Sequence, residues 1–250
     1  MKSADRLRYH KSAYLLPNAA TTGNLFAGFY AIIQSIAGNF ELAVMALLVG
    51  MIMDALDGRI ARLTKTQSSF GEQYDSMSDM VTFGLAPAML AYYYLLHELG
   101  RWGWFACFIY IACAAVRLAR FNTNIGVVDS RFFQGLPSPS AAAIVGGFVW
   151  LLVDNKLPPY MLNAWLVFSI VIYAGLSMVS NAPFISGKKM AFQGNHSAQI
   201  WVLVTILLVA VILINPPVMI FALFMCYAVS GWCVLYYRWT KVRKKRKKML

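Results

Sequence analysis

The sequence predicts an all-α membrane protein, a bundle of about eight transmembrane helices in which a six-helix core is followed by two further helices. Of its 250 residues 60% are hydrophobic and 13% are charged, and the mean hydropathy is +0.59. A soluble domain has about 25% charged residues. The net charge of +12 comes from basic residues that lie between apolar runs. These features exclude an ordinary soluble enzyme, a disordered chain and a secreted disulfide scaffold.

Eight apolar stretches approach the length that a helix needs to cross a bilayer, about 17 to 25 residues. The fifth stretch is short, and the third begins among charged residues. In chain order the predicted spans are 16–37, 40–61, 76–96, 102–121, 139–153, 160–180, 199–214 and 217–237. We divide the chain into a core of residues 1–190, two additional helices in 191–240 and a basic tail, 241–250.

The basic residues predict the orientation of this bundle. Eight spans place both termini on one side, and 20 of the 22 Lys and Arg residues then lie on that side, leaving Arg101 and Lys156 on the other. Positive loops face the cytoplasm, so we expect cytoplasmic termini in the inner (cytoplasmic) membrane. The basic tail is expected to contact anionic membrane phospholipids. Nucleic acid is the less favoured partner, and we predict that none is bound.

Five of the ten acidic residues lie between residues 54 and 79. Ionisable side chains are costly in a membrane and therefore indicate a functional site. Asp54 and Asp57 project about 60° apart on one helix, and Asp75 and Asp79 lie one turn apart on the next. Packing of these helices would bring four carboxylates together, and their repulsion would require cations. Oxygen ligands of this kind select hard divalent ions, such as Mg²⁺, Mn²⁺ or Ca²⁺.

Two alternatives to a catalytic metal site remain open at this point. In the first, the aspartates form an interfacial charge cluster with neighbouring basic residues, namely Arg59, Arg62 and Lys65. The small residues Gly58, Ala61 and Gly71 favour a binding site instead, because they leave room beside the carboxylates. In the second, the chain is a divalent-cation transporter, whose ion site would be expected near the bilayer midplane rather than at the surface.

The acidic segment resembles the signature of the CDP-alcohol phosphatidyltransferases at every defined position. It reads Asp54-x2-Asp57-Gly58-x2-Ala61-Arg62-x8-Gly71-x3-Asp75-x3-Asp79. The resemblance implies an integral membrane enzyme that transfers a phosphatidyl-type group from a CDP-linked lipid to an alcohol and releases CMP. Breaking a diphosphate ester requires charge neutralisation on the leaving CMP and a base near the attacking hydroxyl, and four carboxylates can supply both.

The same resemblance assigns roles to the residues of the signature. It implies that Asp54, Asp57 and Asp75 ligate the divalent cation, and that Asp79 is the general base. Asp79 would also lie close to the metal, and we include it as a candidate fourth ligand. The implied CDP site uses the small residues for space and one basic residue for the nucleotide-side charge, that is, Gly58, Ala61, Gly71 and Arg62.

Three further segments resemble those members of the family that use serine as the acceptor. They are Leu16–Leu25, Val116–Asn122 and Gly135–Ala142, and the resemblance runs from about Tyr14 to Lys189. It implies CDP-diacylglycerol as the donor and L-serine as the acceptor, and homodimers are common among enzymes of this kind. Direct displacement at phosphorus is our mechanistic hypothesis. Glycerol phosphate, inositol and choline remain alternative acceptors.

Arg117 and Arg120 lie three residues apart at the end of the fourth predicted span and can reach one site together. Arginine forks match carboxylate and phosphate oxygens, so their partner is either the serine carboxylate or the donor diphosphate. In the alternative, they anchor the helix at the headgroup level. Asn122 could bind substrate or cap the helix.

Asn18 and Thr22 lie four residues apart and would share the face of the first helix that points towards the second. We predict that they lie near the nucleotide. Pro17 at a helix start is the competing explanation for this segment. Ser138 and Ser140 are candidates for the wall of the acceptor pocket.

Overall fold

A computed structural model describes residues 2–64, 66, 68–123, 132–156, 161–185 and 213–249. Its α-helices are α1 (Lys2–Ile36), α2 (Phe40–Thr64), α3 (Ser69–Asp79), α4 (Ala86–Tyr94), α5 (Arg101–Thr123), α6 (Ser138–Asp154), α7 (Met161–Val179) and α8 (Pro216–Met249). A π-helical segment, Met80–Leu85, joins α3 to α4, and the 3₁₀ turn Leu96–Leu99 precedes α5. The short strands β1 (Phe132–Gln134) and β2 (Pro183–Ile185) pair antiparallel. The predicted all-α class is confirmed.

Three of the described helices are long and apolar enough to cross a membrane: α5, α7 and the Pro216–Lys241 part of α8. They coincide with the predicted spans 102–121, 160–180 and 217–237. Their outer faces expose large apolar side chains, including Phe108 and Leu162, which lipid tails would cover. The total of eight spans remains a prediction, and the predicted span 199–214 lies outside the described residues up to residue 212.

Two helices begin before the apolar runs that predict the first and third spans. Helix α1 starts at Lys2 and runs through Pro17, so Pro17 does not mark a helix start. Helix α3 starts at Ser69, where the Ser68 hydroxyl accepts a hydrogen bond from the Gly71 N–H at 3.0 Å and caps the helix. Both extensions are polar, and a search for apolar runs does not detect them.

Small residues let the helices approach closely around the buried core. A Cβ atom at Gly147 would lie 3.2 Å from the Phe221 backbone nitrogen, where α6 crosses α8. A Cβ atom at Gly175 would lie 3.2 Å from the Cα of Tyr110, where α7 crosses α5. Close approach of this kind increases van der Waals contact between membrane helices. A second, smaller core cluster joins α1, α2, α4 and α6.

Gly135 forms the entry into α6. Its φ angle is +82°, and a Cβ atom there would lie 2.1 Å from the Met178 carbonyl oxygen. Its N–H donates to the Ala182 carbonyl at 3.0 Å, and the next N–H, of Leu136, donates to the Ser177 carbonyl at 2.9 Å. These bonds fix the start of α6 against the end of α7.

We expect Gly135→Ala to destabilise the protein more than Gly38→Ala does. Gly38 also has a positive φ, +79°, but nothing lies within 4 Å of its Cβ position, so its substitution costs only the backbone strain of about 1 to 2 kcal/mol. Gly135→Ala adds a collision with backbone. Thermal unfolding of the purified proteins in detergent measures the difference, and equal losses in Tm would contradict the packing described here.

Candidate active site

Three carboxylates meet where the C-terminal part of α2 faces α3. One oxygen atom from each of Asp54, Asp57 and Asp75 lies within 4.8 Å of the others. Two oxygen atoms that bind one Mg²⁺ or Ca²⁺ ion at 2.0 to 2.6 Å are separated by at most about 4 to 5 Å. The three side chains could therefore hold one divalent cation with little rearrangement.

The hydrogen bonding of Asp75 fits such a cation. Its Oδ1 atom is buried and has no hydrogen-bond partner among the described residues. Burial of an unsatisfied carboxylate oxygen is unfavourable, and a bound cation would satisfy this atom. A cation would also offset the repulsion among the three carboxylates.

The fourth carboxylate, Asp79, is held separately. It is buried at the end of α3, directly before the π-helical segment. Its Oδ1 atom accepts a hydrogen bond from Nδ2 of Asn24 on α1 at 3.0 Å. Asp79 interacts electrostatically with Asp54 and Asp75, but it is not part of the group within 4.8 Å. Its predicted role as an additional ligand stays a prediction.

Helix α1 supplies a second hydrogen bond to the carboxylates. The Thr21 hydroxyl donates to Oδ2 of Asp57 at 2.8 Å. Neither Thr21 nor Asn24 was assigned a role from the sequence, although both lie in the segment Leu16–Leu25. Their spacing of three residues on a helix that packs against α2 and α3 was the available signal.

Asn18 and Thr22 lie on the neighbouring face of α1. Thr22 is exposed, and its hydroxyl is 2.9 Å from the Tyr74 hydroxyl of α3. A Cβ atom at Gly71 would lie 3.9 Å from Oδ1 of Asn18. The structure therefore brings Asn18, Thr22 and Gly71 to one corner between α1 and α3.

The other predicted CDP-site residues lie on α2. Gly58 and Ala61 are partly exposed, and Arg62 is exposed. The Nη1 atom of Arg62 lies 3.7 Å from the position that a Cβ atom would occupy at Gly58. This side chain is therefore next to the open position that Gly58 provides.

The two arginines of α5 point to different partners. Arg117 donates to the Ser138 hydroxyl and interacts electrostatically with Asp79 and Asp54. Arg120 instead donates to Gln134 Oε1 at 2.5 Å and to Asn181 Oδ1 at 2.7 Å. In this arrangement only Arg117 faces the carboxylates, while Arg120 joins the ends of β1 and α7.

Asn122 contacts α3 rather than its own helix end. Its Nδ2 atom donates to the Ser76 hydroxyl at 3.0 Å, and Ser76 follows Asp75 directly. Asn122 therefore links the end of α5 to the helix that carries two of the carboxylates.

Residues 14–179 match the family model described as CDP-alcohol phosphatidyltransferase. The chain belongs to this family. Among the described elements, the matched segment of the CDP-alcohol phosphatidyltransferase runs from within α1 to the end of α7 and includes all four aspartates. Helix α8 lies beyond it.

Several similar proteins share one name, CDP-diacylglycerol–serine O-phosphatidyltransferase. One from Helicobacter pylori strain 26695 is 34% identical over 223 residues, covering 89% of this chain and 92% of that protein. One from Mycobacterium leprae is 29% identical and covers 91% and 76%. One from Methanocaldococcus jannaschii is 36% identical over 162 residues and covers 64% and 69%. The similarity to the bacterial proteins thus extends over most of this chain.

We expect Asp75→Asn to raise the Tm of the protein in EDTA, because it removes one charge from a repulsive group. Mg²⁺ or Mn²⁺ at 100 times Kd should stabilise the unaltered protein by about 2 to 3 kcal/mol and so raise its Tm. The Tm of Asp75→Asn should rise much less. Glu41→Gln, at an exposed carboxylate of α2, serves as the control. An unchanged Tm on addition of divalent cations would argue against the metal site.

Proposed function

We propose that this chain transfers the phosphatidyl group of CDP-diacylglycerol to the hydroxyl of L-serine and yields phosphatidylserine and CMP. The observation that carries the proposal is the set of signature aspartates around a shared cation position, with Arg117 beside them. The names and coverage of the relatives support serine as the acceptor. We further propose that residues 1–190 form the catalytic core and that the site opens to the cytoplasmic leaflet of the inner membrane.

In the proposed reaction Asp54, Asp57 and Asp75 hold the divalent cation, Mg²⁺ or Mn²⁺. When bound, the cation neutralises charge on the diphosphate and on the departing CMP. Asp79 accepts the proton of the serine hydroxyl while that oxygen bonds to the phosphorus next to diacylglycerol. The bond from this phosphorus to the oxygen bridging it to the CMP phosphate breaks, and CMP leaves with the bonding electrons.

The proposed CDP site occupies the side of the carboxylates where the chain has small or polar side chains. Gly58, Ala61 and Gly71 leave space for the nucleotide, and the exposed Arg62 offers positive charge beside Gly58. Asn18 and Thr22 complete the corner near Gly71. Their polar groups can hydrogen-bond to the cytidine or its ribose.

Arg117 is the proposed binding group for the acceptor carboxylate. The carboxylate and hydroxyl of serine are joined through only two carbon atoms, and Arg117 interacts electrostatically with Asp79. A serine held by its carboxylate at Arg117 can therefore present its hydroxyl to Asp79. Inositol and choline lack an anionic group for this guanidinium. Glycerol phosphate has one and is therefore the strongest alternative acceptor.

We expect CMP release from CDP-diacylglycerol to be fastest with L-serine when the purified protein is tested with each alcohol in turn. Serine, glycerol 3-phosphate, inositol and choline are compared at equal concentration, with Mg²⁺, Mn²⁺ or Ca²⁺. The lipid product is identified by mass spectrometry. Faster release with another alcohol would keep the chemistry and replace the acceptor.

We expect Asp79→Asn to lower the rate of CMP release by about 100- to 10,000-fold, because a carboxamide cannot accept the proton. Asp154→Asn, at an exposed carboxylate of α6, is the matched control and should retain activity. A donor with a chiral phosphorus should react with inversion. Net retention would indicate a covalent intermediate and exclude direct displacement.

A further inference from the structure

Helix α1 contributes none of the four signature carboxylates, yet it makes a side-chain hydrogen bond to two of them. Thr21 donates to Asp57 on α2, and Asn24 donates to Asp79 on α3. The exposed fractions of Thr21 and Asn24 are 4% and 0%. Such burial keeps water from competing for these bonds.

The Thr21 contact restricts Asp57 without blocking it. The hydroxyl lies 2.8 Å from Oδ2 and 3.1 Å from the Pro17 carbonyl oxygen, so the carboxylate is the nearer acceptor. An ionised carboxylate has about four lone-pair sites, so Asp57 keeps acceptor sites for a cation. A hydrogen bond to one oxygen fixes the plane of the carboxylate and the direction of its free lone pairs. Outer partners of this kind commonly change metal affinity or activity by about 10- to 100-fold when they are removed.

The Asn24 contact has the same form at Asp79. A carboxylate only accepts hydrogen bonds, so the amide nitrogen of Asn24 must face it. Gly50 of α2 leaves room for the amide, because a Cβ atom there would lie 3.2 Å from Oδ1 of Asn24. The amide is therefore enclosed between α2 and α3, with its donor directed at Asp79.

The backbone of α1 is held at the same two residues. The Ser78 hydroxyl donates to the Thr21 carbonyl at 3.1 Å, and the Thr82 hydroxyl donates to the Asn24 carbonyl at 2.9 Å. A Cβ atom at Gly28 would lie 2.7 Å from the Cα of Thr82, so α1 packs directly on the π-helical segment. With the helix fixed in this way, Thr21 and Asn24 cannot easily follow a displaced carboxylate.

From these contacts we infer that Thr21 and Asn24 are positioning residues with separate tasks: Thr21 orients Asp57 for the cation, and Asn24 orients Asp79 for the acceptor hydroxyl. The inference rests on the proposed function. It assigns separate tasks to two residues that lie outside the signature. Loss of Thr21 should weaken cation binding. Loss of Asn24 should slow turnover while cation binding is unchanged.

The first test measures Mn²⁺ binding to the full-length protein by electron paramagnetic resonance, without substrate. Thr21→Val should raise the Kd for Mn²⁺ about 10-fold or more, and Thr21→Ser, which keeps the hydroxyl, should remain close to the unaltered protein. Thr21→Ala removes the same donor if Thr21→Val does not fold. Unchanged Mn²⁺ affinity in a folded variant without the hydroxyl would overturn the role of Thr21.

The second test separates kcat from KM for CMP release at saturating Mn²⁺. Asn24→Leu should lower kcat about 10- to 100-fold, the size of effect that a misplaced reacting group produces, with little change in the KM for serine or in Mn²⁺ affinity. Asn24→Ser also removes the amide and is used if Asn24→Leu does not fold. A raised Kd for Mn²⁺ with unchanged kcat would overturn the assignment of Asn24 to Asp79.

Two controls distinguish failure of this inference from failure of the proposed site. Ser35→Ala removes another buried hydroxyl of α1, whose one hydrogen bond among the described residues goes to the Ala31 carbonyl of its own helix, and should change neither readout. Asp57→Asn should weaken Mn²⁺ binding. If Asp57→Asn does not, the metal site itself is wrong; if it does and the Thr21 variants do not, only the positioning role is wrong.

Discussion

The mutual repulsion of four carboxylates at one place in an apolar bundle is the constraint on which the site depends. Asp54, Asp57 and Asp75 approach closely enough for one cation, and burial makes their charges costly without it. The surrounding residues reduce this cost in different ways. Thr21 and Asn24 donate hydrogen bonds, and Arg117 supplies positive charge. Of these groups Arg117 carries a net positive charge, and it is the one that we propose also binds an anionic substrate.

The π-helical segment ties this electrostatic arrangement to the backbone. A π-helix changes the direction in which successive side chains project and often occurs at functional sites. Here it follows Asp79 directly, and its Phe83 carbonyl accepts a hydrogen bond from the buried Tyr110 hydroxyl at 3.0 Å. Thr82 in the same segment binds the α1 backbone. Asp79 is thus held from α1 directly and from α5 through the π-helical segment, which suits its proposed role as the general base.

The sequence predicts the carboxylate cluster well because helical periodicity and five nearby acidic residues allow few arrangements. The face of α1 was harder to identify. Helical periodicity places four polar residues on the same side of α1: Asn18, Thr21, Thr22 and Asn24. It does not show which of them face the carboxylates. In the structure Thr21 and Asn24 do, rather than Asn18 and Thr22. Arg117 and Arg120 bind different partners for a related reason. They project about 60° apart around the helix axis, and their long side chains can reach different neighbours. The prediction that Pro17 marks a helix start is wrong because α1 continues through this residue.

The proposed acceptor side of the site depends on parts of the chain that the family match does not include. Strand β2 and helix α8 both follow residue 179, where the match ends. Trp232 donates to the Ser177 hydroxyl at 3.1 Å, and Gly231 faces the Phe184 ring so closely that no side chain would fit. Helix α8 thereby supports β2, whose partner strand carries Gln134, the acceptor for Arg120. The carboxylates and their chemistry belong to the matched segment, whereas the wall beside Arg117 and Arg120 is completed from outside it. With the acceptor at Arg117, as proposed, this division explains why the signature predicts phosphatidyl transfer more firmly than it predicts the alcohol.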